Sequence, residues 1–219
     1  LALMPDSDPS WIDELANDVI RFMEDNRSSE YTFIYDQIVS LGEQLSTTLI
    51  YNYLSDQEID CEWLDIRRLF TTDRAYTEAK INWEKTSDKV LKYFSEEESQ
   101  LIITQGFLGS TPEGFTTTLG REGSDYTAAV LGYCLDAESV NIYKDVPGVL
   151  NSDPKQFEDA VLMPKISFLE AIEMSFYGAK VIHPKTIKPL QNKEIPFFVK
   201  SFVDPESPGT EISNRGEMP

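Results

Sequence analysis

Leu101-Ile102-Ile103-Thr104-Gln105-Gly106-Phe107-Leu108-Gly109 and, further along, Gly120-Arg121-Glu122-Gly123-Ser124-Asp125 decide how this chain folds. The apolar run at Leu101 reads as a strand, the glycine-bearing stretch after it as a loop, and the second segment as a helix start. This is the order used by phosphate-binding α/β proteins. Apolar spacing carries the helix through Tyr126, Ala129, Val130 and Tyr133, with Ser124 or Asp125 available as N-cap. The run sets a cation, flexible backbone and a carboxylate together, which suits an anion. Glycine at a helix start also serves purely structural ends, so the pattern alone leaves both readings open.

Upstream, Ile12, Leu15, Ala16, Val19 and Phe22 or Met23 mark an amphipathic helix, with Ser10 and Asp13 in a capping arrangement. A second helix is expected from about Thr32 to Tyr53. One apolar stripe runs through Ile34, Ile38, Leu41, Leu45 and Leu49, another through Val39, Ser46 and Ile50. Glu43 falls on the second stripe, where a carboxylate is costly to bury unless it lies at a pocket rim or meets a cation. An ordinary solvated Glu fits the periodicity equally well. Ile59, Cys61 and Trp63 alternate as a strand, and Glu84 to Phe94 reads as a helix.

Downstream of the opening stretch, Val140 and Ile142 begin a strand that ends at Lys144-Asp145 and breaks in Val146-Pro147-Gly148. Ser167-Phe168-Leu169-Glu170 is a capping box opening a helix expected to stop at Gly178. His183-Pro184 starts a short helix, and Pro196-Phe197-Phe198-Val199 reads as a buried strand. The alternation predicts an α/β fold with a mainly parallel sheet sandwiched by helices, its ligands beyond the carboxyl ends of strands. Residues 1–210 are assigned to one domain. The tail 211–219, after Pro205, Pro208 and Gly209, is assigned to a linker.

With 219 residues, 41% of them hydrophobic, the chain can bury a real core. A net charge of −19 repels nucleic acid and anionic lipid, which points to small ligands met by local cations. Cys61 and Cys134 lack a CxxC spacing and fit reduced thiols of a cytoplasmic protein. The single histidine, His183, rules out multi-histidine metal ligation, and no metal held by protein ligands is expected. No apolar run is long enough to span a membrane, and Leu1-Ala2-Leu3-Met4-Pro5 lacks the features of a signal peptide.

Several separated stretches, in order and in register, resemble aspartate kinase of the amino-acid kinase fold, which is carbamate kinase-like. They are Ile103-Thr104-Gln105-Gly106-Phe107, Thr116-Thr117-Thr118-Leu119-Gly120-Arg121, Gly123-Ser124-Asp125-Tyr126-Thr127-Ala128-Ala129 and Asp145-Val146-Pro147-Gly148. The likeness continues through Ser152-Asp153-Pro154, Gly178-Ala179-Lys180-Val181-Ile182-His183-Pro184, Gly209-Thr210, Ser40-Leu41-Gly42-Glu43 and the Asp73-Arg74 loop. The resemblance implies transfer of the ATP γ-phosphoryl group to the side-chain carboxylate of L-aspartate, with Mg2+ as cofactor, in a cytoplasmic homo-oligomer. It also implies site residues. Arg121 grips the substrate α-carboxylate, Glu43 meets its α-ammonium, and Gly123 and Ser124 line the same site. Asp125 organises transfer, while Lys144, Asp145, Leu150, Lys155, Lys180 and Val181 contact ATP. Read from the residues alone, Asp125 is a helix cap and Lys144 and Lys155 are surface lysines.

The departures from the family pattern are specific. Glu122 stands where a glycine is common, Lys144 where Thr or Ser is frequent, and Lys155 where Arg is. Nothing in Leu1 to Glu30 resembles the family's opening Lys-Phe-Gly-Gly-Thr-Ser loop, so the fold is expected to be incomplete at its start and the chain alone poorly active. A kinase-like binding or scaffold module, or a sister kinase acting on another amino acid, acetylglutamate, carbamate or a nucleotide, are the alternatives.

Overall fold

A computed structural model describes residues 10–176 and 181–214. Six α-helices and eight β-strands among these residues divide into two compact units, Leu1–Ser124 and Asp125–Pro219.

The first unit opens with α1 (Ser10–Asp25) and α2 (Tyr31–Asp56). Strand β1 (Glu62–Leu64) runs parallel to β2 (Ile102–Thr104), beginning three residues later than Ile59 because the side chains before Glu62 follow the turn that ends α2. Between them lie a 3-10 turn (Ile66–Arg68) and α3 (Trp83–Glu96), whose N-cap Asn82 accepts from the Lys85 amide. Leu108 and Gly109, expected as the end of a loop from Gln105, instead enter β3 (Leu108–Ser110), which forms an antiparallel hairpin with β4 (Thr116–Thr118). Leu64, Ile66, Phe70, Val90 and Leu108 make the buried apolar centre.

Helix α2 reverses the expected orientation. Its buried residues are Asp36, Ser40, Gln44 and Thr47, whereas Ile38, Leu49 and Ile50 of the predicted apolar stripes are exposed. The reason is hydrogen bonding. Strand β4 has a free edge, and α2 covers it with side chains that act as a surrogate strand. Gln37 Nε2 donates to the Thr116 carbonyl at 2.7 Å, and Gln37 Oε1 accepts from the Thr116 amide at 3.0 Å. Gln44 Oε1 accepts from Arg67, which also donates to Thr116 Oγ1 and pairs with Asp65. A polar face that meets partners everywhere can be buried at little cost.

The second unit begins within the first turn of α4 (Gly123–Cys134). It adds β5 (Val140–Lys144), β6 (Lys165–Ser167), α5 (Phe168–Phe176), α6 (Pro184–Asn192), β7 (Phe197–Ser201) and β8 (Thr210–Ser213). The sheet order is β5-β7-β8-β6, with β5 parallel to β7, β6 parallel to β8, and β7 antiparallel to β8. Strand β8 (Thr210–Ser213) runs across the assigned boundary at 210/211 and lies between β7 and β6 in this sheet. Pro205, Pro208 and Gly209 form the turn that reverses the chain into it. The core packs Phe168 against Phe197 together with Ile166, Ile187, Leu190 and Ile212.

Two local readings hold in detail. Ser167 and Glu170 cap each other reciprocally, the Ser167 amide donating to Glu170 Oε2 at 2.6 Å and the Glu170 amide to Ser167 Oγ at 3.1 Å. His183 caps α6 through Nδ1, which accepts from the Lys185 amide, with Pro184 at the first helical position. The expected helix stop at Gly178 lies outside the described residues.

The inverted face of α2 gives a direct prediction. Gln37→Leu, which raises the apolar content of the helix, should destabilise the chain by about 2 kcal/mol because both backbone groups of Thr116 lose their partner. Ile50→Gln, which lowers that content on the exposed side, should cost no more than about 0.5 kcal/mol. Urea unfolding of both variants measures the difference; the reverse order would refute the surrogate-strand account.

Candidate active site

In the first unit, the candidate amino-acid groups sit on α2 and at the end of the β4 segment. Glu43 is half-buried on α2, and burial alone raises its carboxyl above the ordinary range. Its carbonyl accepts from Thr47 Oγ1 at 2.9 Å, and Thr47 Oγ1 in turn accepts from Trp63 Nε1 and Gln105 Nε2. Gln105, fully buried, also takes the Ile66 amide at Oε1, so the loop after β2 is tied to α2 one turn from Glu43. Arg121 is exposed. Among the described residues, neither Glu43 nor Arg121 enters an ion pair. One carboxylate and one guanidinium are thus left available for a ligand carrying both charges.

The loop 105–107 lies against the start of α4. A Cβ on Gly106 would come within 2.7 Å of Ser124 Cβ, so only glycine permits this approach. Gly123 is buried under Phe107 and opens the helix, while Ser124 is exposed in its first turn. Neither Ser124 nor Asp125 is the N-cap that spacing predicts; both lie inside the helix, because the chain turns at Glu122 with a left-handed φ of 55°. That backbone explains why glycine suits the position Glu122 occupies.

In the second unit, Asp125 and Lys144 come together. Lys144 Nζ lies 2.8 Å from Asp125 Oδ2, with side chains only 18% and 14% exposed. Lys144 is therefore a shielded cation at the carboxyl end of β5, not a surface lysine. The signal available in sequence was its place at the end of an alternating strand, where the side chain continues the inward or outward pattern of β5.

The remaining candidates are more dispersed. Asp145 is exposed just beyond β5, and Leu150 is half-buried where it bridges to Leu162. Lys155 is exposed, its amide donating to Asp153 Oδ1 at 2.9 Å. Val181 packs against the core of its unit. Lys180 lies outside the described residues. Gln105 and Asp36, which sequence reasoning passed over, are the buried polar residues that hold the loops carrying the candidates. Among the described residues, no helix is long and apolar enough to cross a membrane.

Comparison with known proteins gives a consistent picture. The model of the amino acid kinase family matches residues 6–201. Lysine-sensitive aspartokinase 3 of Escherichia coli (strain K12) is 40% identical over 185 residues, 84% of this chain and 41% of that protein. A chloroplastic bifunctional aspartokinase/homoserine dehydrogenase of Daucus carota is 36% identical over 81% of this chain and 19% of the relative. The crystal structure of E. coli aspartokinase III in complex with aspartate and ADP (R-state) aligns with a TM-score of 0.88 at 36% identity, covering 98% of this chain and 48% of that one. The chain thus spans less than half the length of these aspartokinases. The expected fold is borne out, and with a family match over residues 6–201 the chain belongs to the amino acid kinase family.

Proposed function

We propose that this chain is the catalytic region of an aspartate kinase. It transfers the γ-phosphoryl group of ATP to the β-carboxylate of L-aspartate, giving 4-phospho-L-aspartate and ADP for lysine, threonine and methionine synthesis. The observation that carries the reading is the available charge pair Glu43 and Arg121 on the first unit. An amino acid needs both. Likeness to an aspartokinase crystallised with aspartate and ADP supports the same two ligands.

Arg121 binds the α-carboxylate through a planar fork, and Glu43 receives the α-ammonium. Gly123 and Ser124 offer backbone at the positive end of α4. A carboxylate oxygen attacks phosphorus, and the electron pair of the broken bond leaves on the ADP oxygen. No proton moves, since the acceptor is already ionised near neutral pH, and Asp125 has no base to be. It holds Lys144, whose ammonium offsets the charge of the migrating group. Asp145, Leu150, Lys155, Lys180 and Val181 are assigned to nucleotide contact.

Among the described residues, no group of three His, Cys, Asp or Glu side chains could hold a metal ion. Mg2+, assigned from the family resemblance, would be held by the ATP phosphates and would offset their charge during transfer. The reduced thiols Cys61 and Cys134 fit the reducing cytoplasm.

Calorimetry should detect both Mg2+-ATP and L-aspartate, and hydroxylamine should trap acyl phosphate only at a low rate, in keeping with a chain expected to be poorly active alone. Binding of N-acetylglutamate in place of aspartate would overturn the assignment, because that ligand brings no ammonium to Glu43. Arg121→Ala should weaken aspartate binding about 10- to 100-fold, the worth of a charged hydrogen-bonded pair, and leave ATP binding within about threefold. Lys144→Ala should lower turnover by about 100-fold or more with aspartate affinity retained.

The raised carboxyl of Glu43 fixes a pH dependence. Aspartate affinity should fall as pH drops through that raised value, since only the carboxylate meets an ammonium. For stability the sign is opposite. A raised folded-state pKa contributes stability below the unfolded value and loses it as pH rises through the folded one. Glu43→Gln should therefore bind aspartate poorly yet unfold at no lower urea concentration at pH 7; a less stable variant would contradict burial as the cause.

A further inference from the structure

We infer that Asp36 is the positioning residue for Arg121, an inference that rests on the aspartate kinase reading. Asp36 is fully buried in α2, and its carboxylate takes three donors from two separate segments. Oδ2 accepts from the Thr77 amide at 2.9 Å and the Thr118 amide at 2.8 Å, and Oδ1 accepts from Thr118 Oγ1 at 2.8 Å. Burying a carboxylate is expensive, and three donors are what offset it.

What those donors hold in place is specific. Thr118 ends β4, three residues before Arg121, and its carbonyl accepts from the Ala79 amide. The next residue, Leu119, donates its amide to the Phe107 carbonyl at 2.8 Å. Gly120 then turns with a φ of 73°, and a Cβ there would lie 3.0 Å from the Thr77 carbonyl oxygen. Thr77 itself has a φ of 72°, an unfavourable backbone for a β-branched residue. Such a conformation persists only where surrounding contacts impose it, and Asp36 supplies one of them on the Thr77 amide.

Asp36 thus holds the strained residue that walls Gly120 and the strand end that leads to it. The direction in which Arg121 leaves the hairpin is set by these two contacts. The charge of Asp36 acts on loop geometry beside the Arg121 guanidinium, while the backbone groups of Thr116 in β4 are met by Gln37. A misplacement of about 1 Å at a binding group is enough to cost affinity heavily.

The test is calorimetric binding of L-aspartate and of Mg2+-ATP to the full chain and four variants. Asp36→Asn presents an amide N–H to backbone donors, so aspartate affinity should fall at least tenfold while ATP affinity changes less than threefold. Thr118→Val removes one donor and should weaken aspartate selectively; Thr118→Ser restores the hydroxyl and should recover it. Thr77→Gly keeps the amide but frees the backbone that walls Gly120, and should also weaken aspartate selectively. If Asp36→Asn fails to fold, the Thr118 pair decides. Aspartate binding unchanged in Asp36→Asn and Thr118→Val, or aspartate and ATP lost in parallel, overturns the positioning role alone. A wild-type chain with no aspartate affinity overturns the functional reading and this inference with it.

Discussion

Every backbone amide and carbonyl in the hairpin next to the candidate site has to find a partner, and β4 cannot find them all in β3. Its three residues pair on one side with Leu108, Gly109 and Ser110. On the other side α2 provides side chains where another strand would provide backbone, Gln37 for Thr116 and Asp36 for Thr118. An edge left open would be both unstable and sticky. Covering it with a helix has a structural consequence, since α2 must then turn a polar face inward and leave Ile38, Leu49 and Ile50 outside. The same helix carries Glu43 beside Gln44 of that polar face, so the constraint that closes the sheet edge also fixes where the candidate carboxylate sits.

This is why some parts of the chain could be read in advance and others could not. Local chemistry was legible. The Ser167 and Glu170 box, the His183-Pro184 start of α6 and the strands β5 and β7 each depend on a few neighbouring residues, and the structure has them as expected. Hydropathy misled at α2, because a buried Asp36 or a bonded Gln37 is recognisable only once its partners at 77, 116 and 118 are known. The same holds for β8. Pro205, Pro208 and Gly209 punctuate the chain strongly, yet Thr210–Ser213 enters the sheet between β7 and β6, a long-range pairing that no window of sequence contains. Three-residue strands such as β3 and β4 are shorter than any periodicity can register.

The candidate site divides along the same line. Arg121, Gly123, Ser124 and Asp125 were visible as a run, and the fold gathers them around the start of α4. Lys144 gains its meaning only from the contact with Asp125, which spans nineteen positions of sequence and two different elements. The pair is largely withdrawn from solvent, so breaking it would strand a poorly hydrated charge, whereas the exposed Arg74 and Glu113 pair can be lost with little effect. Glu43 is the opposite case. It has no cation among the described residues and is held partly out of water, a poor arrangement for stability and a suitable one for a binding group that gains its partner with the ligand.

Net charge sharpens the question of which cations matter. At −19 the chain as a whole repels both ATP and aspartate, so long-range steering cannot bring either ligand in. Screening reduces that repulsion within about 8 Å at physiological salt, which leaves short-range contacts to decide binding. A cation that is mobile and fully hydrated contributes little there. A guanidinium whose backbone is fixed by Gly120 and Thr118, and an ammonium fixed by Asp125, contribute much more, because orientation has been settled before the ligand arrives. On the proposed function, the shielded carboxylates Asp36 and Asp125 belong to the binding chemistry as much as the cations do: each is placed to hold something positive, or something leading to it, in one position.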